Sequence, residues 1–139
     1  MAVAESATGG GLGARLSSVS GSSACFLGGF ITYSNEMKSK LLGVSSEVLA
    51  EYTEVSEQVA IEMAKGAREQ TGADYGVGIT GEAGPDSGSG QPVGLFYVAV
   101  ADANGADAKR YQFPGDRSRL RQFGTQWALD LLRRRLIPT

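Results

Sequence analysis

Near its start the chain reads Ala2-Val3-Ala4-Glu5-Ser6-Ala7-Thr8-Gly9-Gly10-Gly11-Leu12-Gly13. The apolar residues 2–4 predict a short strand, and the glycine-rich stretch before Leu12 predicts a tight turn that enters a helix. The N-terminus of a helix carries unpaired N–H groups and about half a positive charge, so it can hold a phosphate or an oxyanion. The pattern favours an α/β protein with a functional site at the end of its first strand.

The rest of the chain continues this alternation of strands and helices. Apolar and β-branched runs predict strands at residues 24–33, 75–80, 93–101 and 108–113, the first of them buried. Capping residues and helical spacing predict helices at residues 36–42, 46–51, 56–72 and from Asp116 onward. Because Asn104-Gly105 is a strong hairpin signal, we expect a mixed sheet with helices on both faces.

Length and composition exclude several classes of function. The 139 residues form one domain, and 13 basic against 15 acidic residues leave no positive field for nucleic acid. No histidine is present, which excludes Ser-His-Asp and Cys-His catalysis, and the single Cys25, expected to be buried and inert, cannot form an internal disulfide. Without a long apolar run or a signal-like start, we expect a cytoplasmic protein with no membrane contact.

The first constellation with chemical potential surrounds Ser6. A nucleophilic hydroxyl at this position would have its oxyanion received by N–H groups of residues 8–10. In the alternative interpretation, Ser6 and Thr8 only cap the following helix. Residues 9–14 also fit the G-x-G-x-x-A dinucleotide pattern, but the turn is long and the chain is short for a complete Rossmann sheet.

The second constellation is Tyr33-Ser34-Asn35-Glu36-Met37-Lys38, at the end of a strand and the start of a helix. Lys38 lies in the first helical turn, where the helix dipole disfavours a cation. A base near neutrality needs the pKa of this lysine to fall from ~10.4 to about 7, which requires burial in addition to the dipole. Tyr33 would relay a proton or hold the lysine. Alternatively, Lys38 is a solvated lysine beside Glu36 and Tyr33 packs its ring.

The third constellation is Gly78-Ile79-Thr80-Gly81-Glu82-Ala83-Gly84-Pro85, a strand that runs into a glycine loop. Such a loop allows a ligand to approach the backbone closely, and Thr80 offers a hydroxyl group. The loop lacks the Gly-Lys-Ser/Thr ending of a P-loop, so it does not support nucleoside triphosphate binding. A simple mobile turn over residues 86–90 is the alternative.

The last constellation is a group of arginines in the opening turns of the final helix, namely Arg117, Arg119 and Arg121. One of them could pair with a phosphate or carboxylate of a ligand. The others are expected to be solvated.

Several ordered motifs, spread over nearly the whole chain, carry a resemblance to one family. They are Ala4-Glu5-Ser6-Ala7-Thr8-Gly9-Gly10, Val19-Ser20-Gly21-Ser22-Ser23, Gly28-Gly29, Tyr33-Ser34-Asn35-Glu36-Met37-Lys38, Leu41-Leu42-Gly43-Val44, Val55-Ser56-Glu57, the glycine loop of residues 78–85, and Pro92-Val93-Gly94-Leu95. In this order they are similar to the nicotinamide mononucleotide deamidase family, also called the CinA C-terminal domain family.

The resemblance implies a three-layer α/β/α sandwich that hydrolyses the carboxamide of nicotinamide mononucleotide to nicotinate mononucleotide and ammonia. By position it implies Ser6 as the nucleophile and Tyr33 and Lys38 as its activating partners. The substrate-binding positions expected are Thr8, Gly9, Gly10, Asn35, Thr80, Gly81, Gly84 and Arg121. No metal or cofactor is required, and the expected partners are the small-molecule substrate and a second copy of the chain. A catalytically silent binding or regulatory domain is the alternative.

The chain departs from the family pattern in several places. Ala7 replaces a cysteine, which should leave the chemistry of Ser6 intact. Thr53-Glu54 replace a Gly-Ala pair and Glu82 replaces an apolar residue, so we expect a carboxylate to enter or flank the pocket. Family members carry a helix ahead of the first strand that residues 1–139 lack, and we expect a partner subunit to cover the exposed sheet or the domain to be weakened.

Overall fold

A computed structural model describes residues 1–137 and contains a five-stranded sheet between two layers of helices. The strands are β1 Ala2–Glu5, β2 Gly28–Ile31, β3 Gly76–Gly81, β4 Leu95–Asp102 and β5 Gly105–Gln112. The α-helices are α1 Gly11–Ser17, α2 Asn35–Leu42, α3 Ser46–Tyr52, α4 Glu57–Thr71 and α5 Arg117–Leu136. The expected α/β sandwich with a mixed sheet is confirmed.

The order of strands in the sheet is β2-β1-β3-β4-β5. Strand β1 runs parallel to both of its neighbours, whereas β4 and β5 continue the sheet in antiparallel fashion. The carboxyl ends of β1, β2 and β3 therefore meet at one edge. Ser6, Thr32 and Glu82, the residues that follow these three strands, are brought to this edge.

Each face of the sheet has its own apolar core. On one face, α1 and α5 cover a cluster that includes Leu12, Phe96 and Leu120. On the other face, α4 packs so closely that a Cβ on Gly78 of β3 would collide with the backbone carbonyl of Ala60. Glycine at this position allows the helix to approach the strand, and this close packing holds the sheet edge in place.

The strand predicted at residues 24–33 is wrong in extent and in burial. Residues Ser22–Ala24 form a 3₁₀ turn instead, and β2 begins only at Gly28. Because β2 pairs only with β1 it is an edge strand, and its residues alternate between half-buried and exposed. Cys25 precedes this edge strand and is exposed, so the expectation of a buried thiol is also wrong.

The longest helix, α5, is rich in arginine. Asp116 caps its start by accepting a hydrogen bond from the backbone N–H of Arg119 at 2.8 Å, as predicted. Near its end, Arg135 donates to Asp102 of β4 at 2.7 Å and fastens the helix to the sheet. Within residues 1–137, no helix has both the length and the apolar character needed to cross a bilayer.

Candidate active site

Ser6 lies immediately after β1, in a turn whose backbone is held on both sides. Its N–H donates to the carbonyl of Ile79 in β3 at 3.2 Å, which extends the pairing of the strands by one residue. Its carbonyl accepts from the N–H of Gly9 at 3.0 Å. The side chain is buried, and its hydroxyl position is thus set by the sheet and the turn together.

Lys38 approaches Ser6 from helix α2. Ser34 caps this helix by accepting from the N–H of Met37 at 3.2 Å, which places Lys38 one turn into the helix and directs its side chain into the interior. The lysine is only 1% exposed. Its Nζ lies 3.2 Å from Ser6 Oγ and donates to the carbonyl of Thr32 at 2.9 Å. A hydroxyl and an amine are therefore in direct hydrogen-bond contact in the protein interior.

Burial changes the proton affinity of this amine. Desolvation lowers the pKa of Lys38 from its ordinary 10.5 to about 8, while the negative charge of Glu54 acts in the opposite direction. Two neutral oxygens contact the ammonium form, and they compensate little of the solvation that it loses. A minority of Lys38 is consequently neutral near pH 7 and can accept a proton from Ser6, and the neutral fraction grows as the pH rises through about 8.

Ser6 opens into a cavity of about 180 Å³ at the edge of the sheet. The lining residues are Ser6, Ala7, Tyr33, Glu54, Val55, Thr80, Gly81, Glu82, Ala83, Gly88, Ser89 and Arg117. Two acidic residues and one arginine thus line the same space as the serine. The expectation that Glu54 and Glu82 enter or flank the pocket is confirmed.

Arg117 connects the far side of this cavity to Tyr33. Its Nη2 donates to the hydroxyl of Tyr33 at 2.9 Å, and its Nη1 donates to the carbonyl of Gly84 at 2.6 Å. Tyr33 is 62% exposed and, within residues 1–137, its hydroxyl makes no hydrogen bond to Ser6 or Lys38. The geometry thus gives Lys38 direct access to Ser6 and places Tyr33 beside the guanidinium.

The N-terminus of α1 is filled by a side chain of the protein itself. The buried carboxylate of Glu5 accepts from the N–H groups of Leu12 and Gly13, each at 2.9 Å, and from the hydroxyl of Thr8 at 2.6 Å. These first-turn donors are therefore taken up within the chain. Thr8, expected to contact substrate, donates its hydroxyl to Glu5 and lies outside the lining of the Ser6 cavity.

Other predicted binding residues also serve the scaffold. Arg121 donates to the carbonyls of Ala7 and Thr8 at 3.1 and 3.3 Å and lies outside the Ser6 cavity. Thr80 lines the cavity, but its hydroxyl donates to the backbone carbonyl of Glu54 at 2.6 Å.

The remaining predicted positions divide between the cavity and its surroundings. Gly81 lines the cavity, and Gly84 contacts Arg117 through its carbonyl. Gly9, Gly10 and Asn35 are not among the lining residues, and Asn35 is exposed at the start of α2.

Several cavity residues fall outside the predicted catalytic and binding set, among them Arg117 and Val55. Arg117 belongs to the arginine group of the last helix, and its signal was its position directly after the capping Asp116, at the start of that helix. Val55 lines the cavity through a segment that precedes α4, and only its place in the Val55-Ser56-Glu57 motif marked it. Neither of these two sequence features indicates which residues line the cavity that contains Ser6.

Comparison with known proteins adds family information to this geometry. The family model described as the CinA C-terminal domain matches residues 1–136. A CinA-like protein of Solibacter usitatus is 58% identical over 135 residues, which cover 96% of this chain and 32% of the relative. One of Koribacter versatilis is 51% identical over 99% of this chain and 33% of the relative. The chain spans about a third of the length of these curated relatives.

Solved structures resemble the fold over almost all of its length. A CinA superfamily protein of Enterobacter cloacae superposes with a TM-score of 0.94 at 33% identity, covering 98% of this chain and 81% of that one. A competence/damage inducible protein of Agrobacterium tumefaciens gives a TM-score of 0.90 at 38% identity, covering 94% of this chain and 81% of that one. The architecture described above is therefore shared with these proteins.

Proposed function

The chain belongs to the CinA C-terminal domain family, and from this premise we propose that it is a serine amidohydrolase that converts nicotinamide mononucleotide to nicotinate mononucleotide and ammonia. The observation that carries the proposal is the 3.2 Å contact between Lys38 Nζ and Ser6 Oγ in a buried position. A buried lysine with a lowered pKa is a base that needs no histidine, and this chain has none.

In the proposed reaction, neutral Lys38 takes the hydroxyl proton of Ser6 as Oγ attacks the carboxamide carbon. The tetrahedral intermediate collapses, the C–N bond breaks, and the protonated Lys38 returns the proton to the leaving ammonia. Water then gives one proton to Lys38 as its oxygen attacks the ester, and Lys38 passes this proton to Ser6 Oγ as the C–O bond breaks. The acid that forms gives its remaining proton to the released ammonia, which leaves the carboxylate and restores Ser6. Lys38 alternates between base and acid, so the proton count closes over one cycle.

The oxyanion of this intermediate needs hydrogen-bond donors close to Ser6. The N–H groups of Ser6 and Gly9 are engaged in backbone hydrogen bonds. Those of Ala7 and Thr8 donate to no residue within 1–137, and Ala7 lines the cavity. We assign the oxyanion to the amide of Ala7, since Ala7 is the one of these two residues that lines the cavity, and Arg121 fixes the following peptide by donating to the carbonyl of Ala7.

The phosphate of the substrate requires a cation elsewhere in the cavity. Arg117 is the only arginine or lysine that lines the Ser6 cavity within the described residues, and it is oriented by Tyr33 and Gly84. A planar guanidinium suits a phosphate group. A phosphate held by Arg117, away from the carbon that Ser6 attacks, would orient the carboxamide. Of the three arginines that the sequence offered for a phosphate or carboxylate, we therefore assign this role to Arg117.

The proposal is tested by following ammonia release from nicotinamide mononucleotide by the purified chain. We expect turnover by the wild type, none by Ser6→Ala, and strongly reduced but detectable turnover by Ser6→Cys, because a thiol can still attack the carbonyl. Ser23→Ala, which changes an exposed serine, is the matched control and should keep full activity. Quenched mixtures should contain a nicotinoyl ester on Ser6, identified by peptide mass.

Two outcomes would contradict the mechanism. Full activity of folded Ser6→Ala would exclude a covalent intermediate and favour attack by water held near Lys38. Binding of nicotinamide mononucleotide without any turnover by the wild type would instead support a catalytically silent binding domain of the same fold.

A further inference from the structure

Glu54 is an unusual residue in the cavity that contains Ser6. It lines the same space and is half-buried. Within residues 1–137, its carboxylate accepts no hydrogen bond, and the ion pairs of the protein all lie elsewhere. A half-buried carboxylate has lost part of its hydration, so a charge without a protein contact is suited to a ligand that supplies the opposite charge.

The backbone around Glu54 is firmly held. Its carbonyl accepts from Thr80 Oγ1 at 2.6 Å, which ties it to the end of β3. The next residue, Val55, is only 2% exposed. The preceding Thr53 has a φ of 66°, a positive value that a β-branched residue adopts only when its surroundings impose it. The carboxylate therefore starts from a fixed point on the cavity wall.

Glu82 provides a contrast within the same cavity. Its carboxylate accepts from the N–H of Ser89 at 3.1 Å and from the hydroxyl of Ser89 at 2.7 Å. These donors already solvate part of its charge and hold a glycine-rich loop. Glu54 has no comparable contacts in the described part of the chain, so of the two carboxylates it has the greater capacity to bind a cation.

On the basis of the proposed function, we propose that Glu54 selects carboxamides whose ring carries a positive charge, such as N-alkylated pyridinium carboxamides, over neutral amides of the same shape. The pyridinium would lie near Glu54 while its carboxamide faces Ser6, and an anionic substituent would extend toward Arg117. The cavity thereby has one carboxylate for a cationic ring and one guanidinium for an anionic tail.

The same placement affects the base. Glu54 acts on Lys38 through its charge and favours the ammonium form. A cationic ring beside Glu54 would offset that charge and repel a proton from Lys38. Binding of the cationic substrate would consequently favour the neutral lysine that the reaction needs, and a neutral amide would not have this effect.

The test uses two ligands of nearly equal shape that differ in charge. 1-Methylnicotinamide is a cation, and 3-methylbenzamide replaces its ring nitrogen by carbon and is neutral. Calorimetric titration of the wild type should show about tenfold tighter binding of the cation, the order expected for one partly desolvated charge pair. Glu54→Gln should bring the two affinities to within about twofold. The matched control, Glu82→Gln, should keep most of the preference.

Equal binding of both ligands by the wild type, or an unchanged preference in Glu54→Gln, would overturn the inference. The comparison of the two ligands on the wild-type protein can be made even if Glu54→Gln does not fold. Since both ligands are measured by binding, the result is independent of ammonia release. A preference for the cation that depends on Glu54, in a chain that does not hydrolyse nicotinamide mononucleotide, would support the inference and remove the proposed function.

Discussion

Two neighbouring strand-to-helix connections each contain a buried ionisable side chain, and they use it in opposite ways. In the β1–α1 connection, residues 5–13, the Glu5 carboxylate accepts three hydrogen bonds, two of them from the N-terminus of α1. In the β2–α2 connection, residues 32–38, the Lys38 amine contacts one carbonyl and one hydroxyl, and among residues 1–137 no carboxylate lies within salt-bridge distance of it.

The difference shows how a structural charge is distinguished from a reactive group. The hydrogen bonds to Glu5 replace its lost hydration, so its negative charge stabilises the turn that carries Ser6. Lys38 receives little replacement for its hydration, and its pKa falls to about 8. The side chains of Glu5 and Lys38 are buried to a similar degree. The number of hydrogen-bond partners around each group therefore determines whether it stabilises the fold as a charge or can exchange a proton.

The largest expected effect is on activity, from replacing Lys38. Lys38→Met keeps an unbranched side chain of similar length but removes the proposed base, so kcat should fall by about 10² to 10⁴. Ammonia release measured above pH 8, where the wild-type amine is mostly neutral, provides the comparison. Lys40→Met, an exposed lysine on the same helix, is the control and should retain activity. Near-normal turnover by Lys38→Met would show that the buried amine is not the base.

The same variant should be more stable than the wild type at neutral pH. Below about pH 8, Lys38 is protonated in both the folded and the unfolded protein, so folding must bury a charge that methionine does not carry. The lowering of the pKa corresponds to about 3 kcal/mol of unfolding free energy. Between about pH 8 and 10.5 the folded protein releases this proton while the unfolded chain retains it, so wild-type stability should rise with pH.

Denaturant unfolding of the wild type and of Lys38→Met at a series of pH values measures this change. The advantage of the variant should be greatest at pH 7 and should shrink toward pH 10.5. A constant difference between the two proteins over this range would mean that Lys38 does not change its proton affinity on folding.

A smaller and opposite effect is expected for Glu5. Glu5→Gln leaves one acceptor oxygen for three donors and turns an NH₂ group toward at least one of them, so stability should fall by about 2 kcal/mol. Denaturant unfolding at pH 7 tests this, with Glu69→Gln on the exposed face of α4 as the control. A Glu5→Gln protein as stable as the wild type would remove the contrast between the two connections.

Much of the fold was predictable because its signals are local. Ser34, Ser56 and Asp116 each cap a helix where the sequence predicted one, with hydrogen bonds that span only three residues. The turn at Asn104-Gly105 joins β4 and β5 as expected. The strand at residues 24–33 was less predictable, because an edge strand and a buried strand can have similar apolar content while their pairing depends on distant residues.

The residue pattern by itself determined the α/β class, the family, and the presence of a serine directly after one strand and a lysine in the first turn of a helix, because these follow from local spacing and motif order. Only the tertiary structure decided that Glu5 occupies the start of α1 and that Arg117 faces the Ser6 cavity while Arg121 does not. The two arginines lie one helical turn apart on the same helix, so their roles depend on the position of α5 along the sheet edge. That position is set by packing between residues far apart in the chain, which a local pattern does not encode.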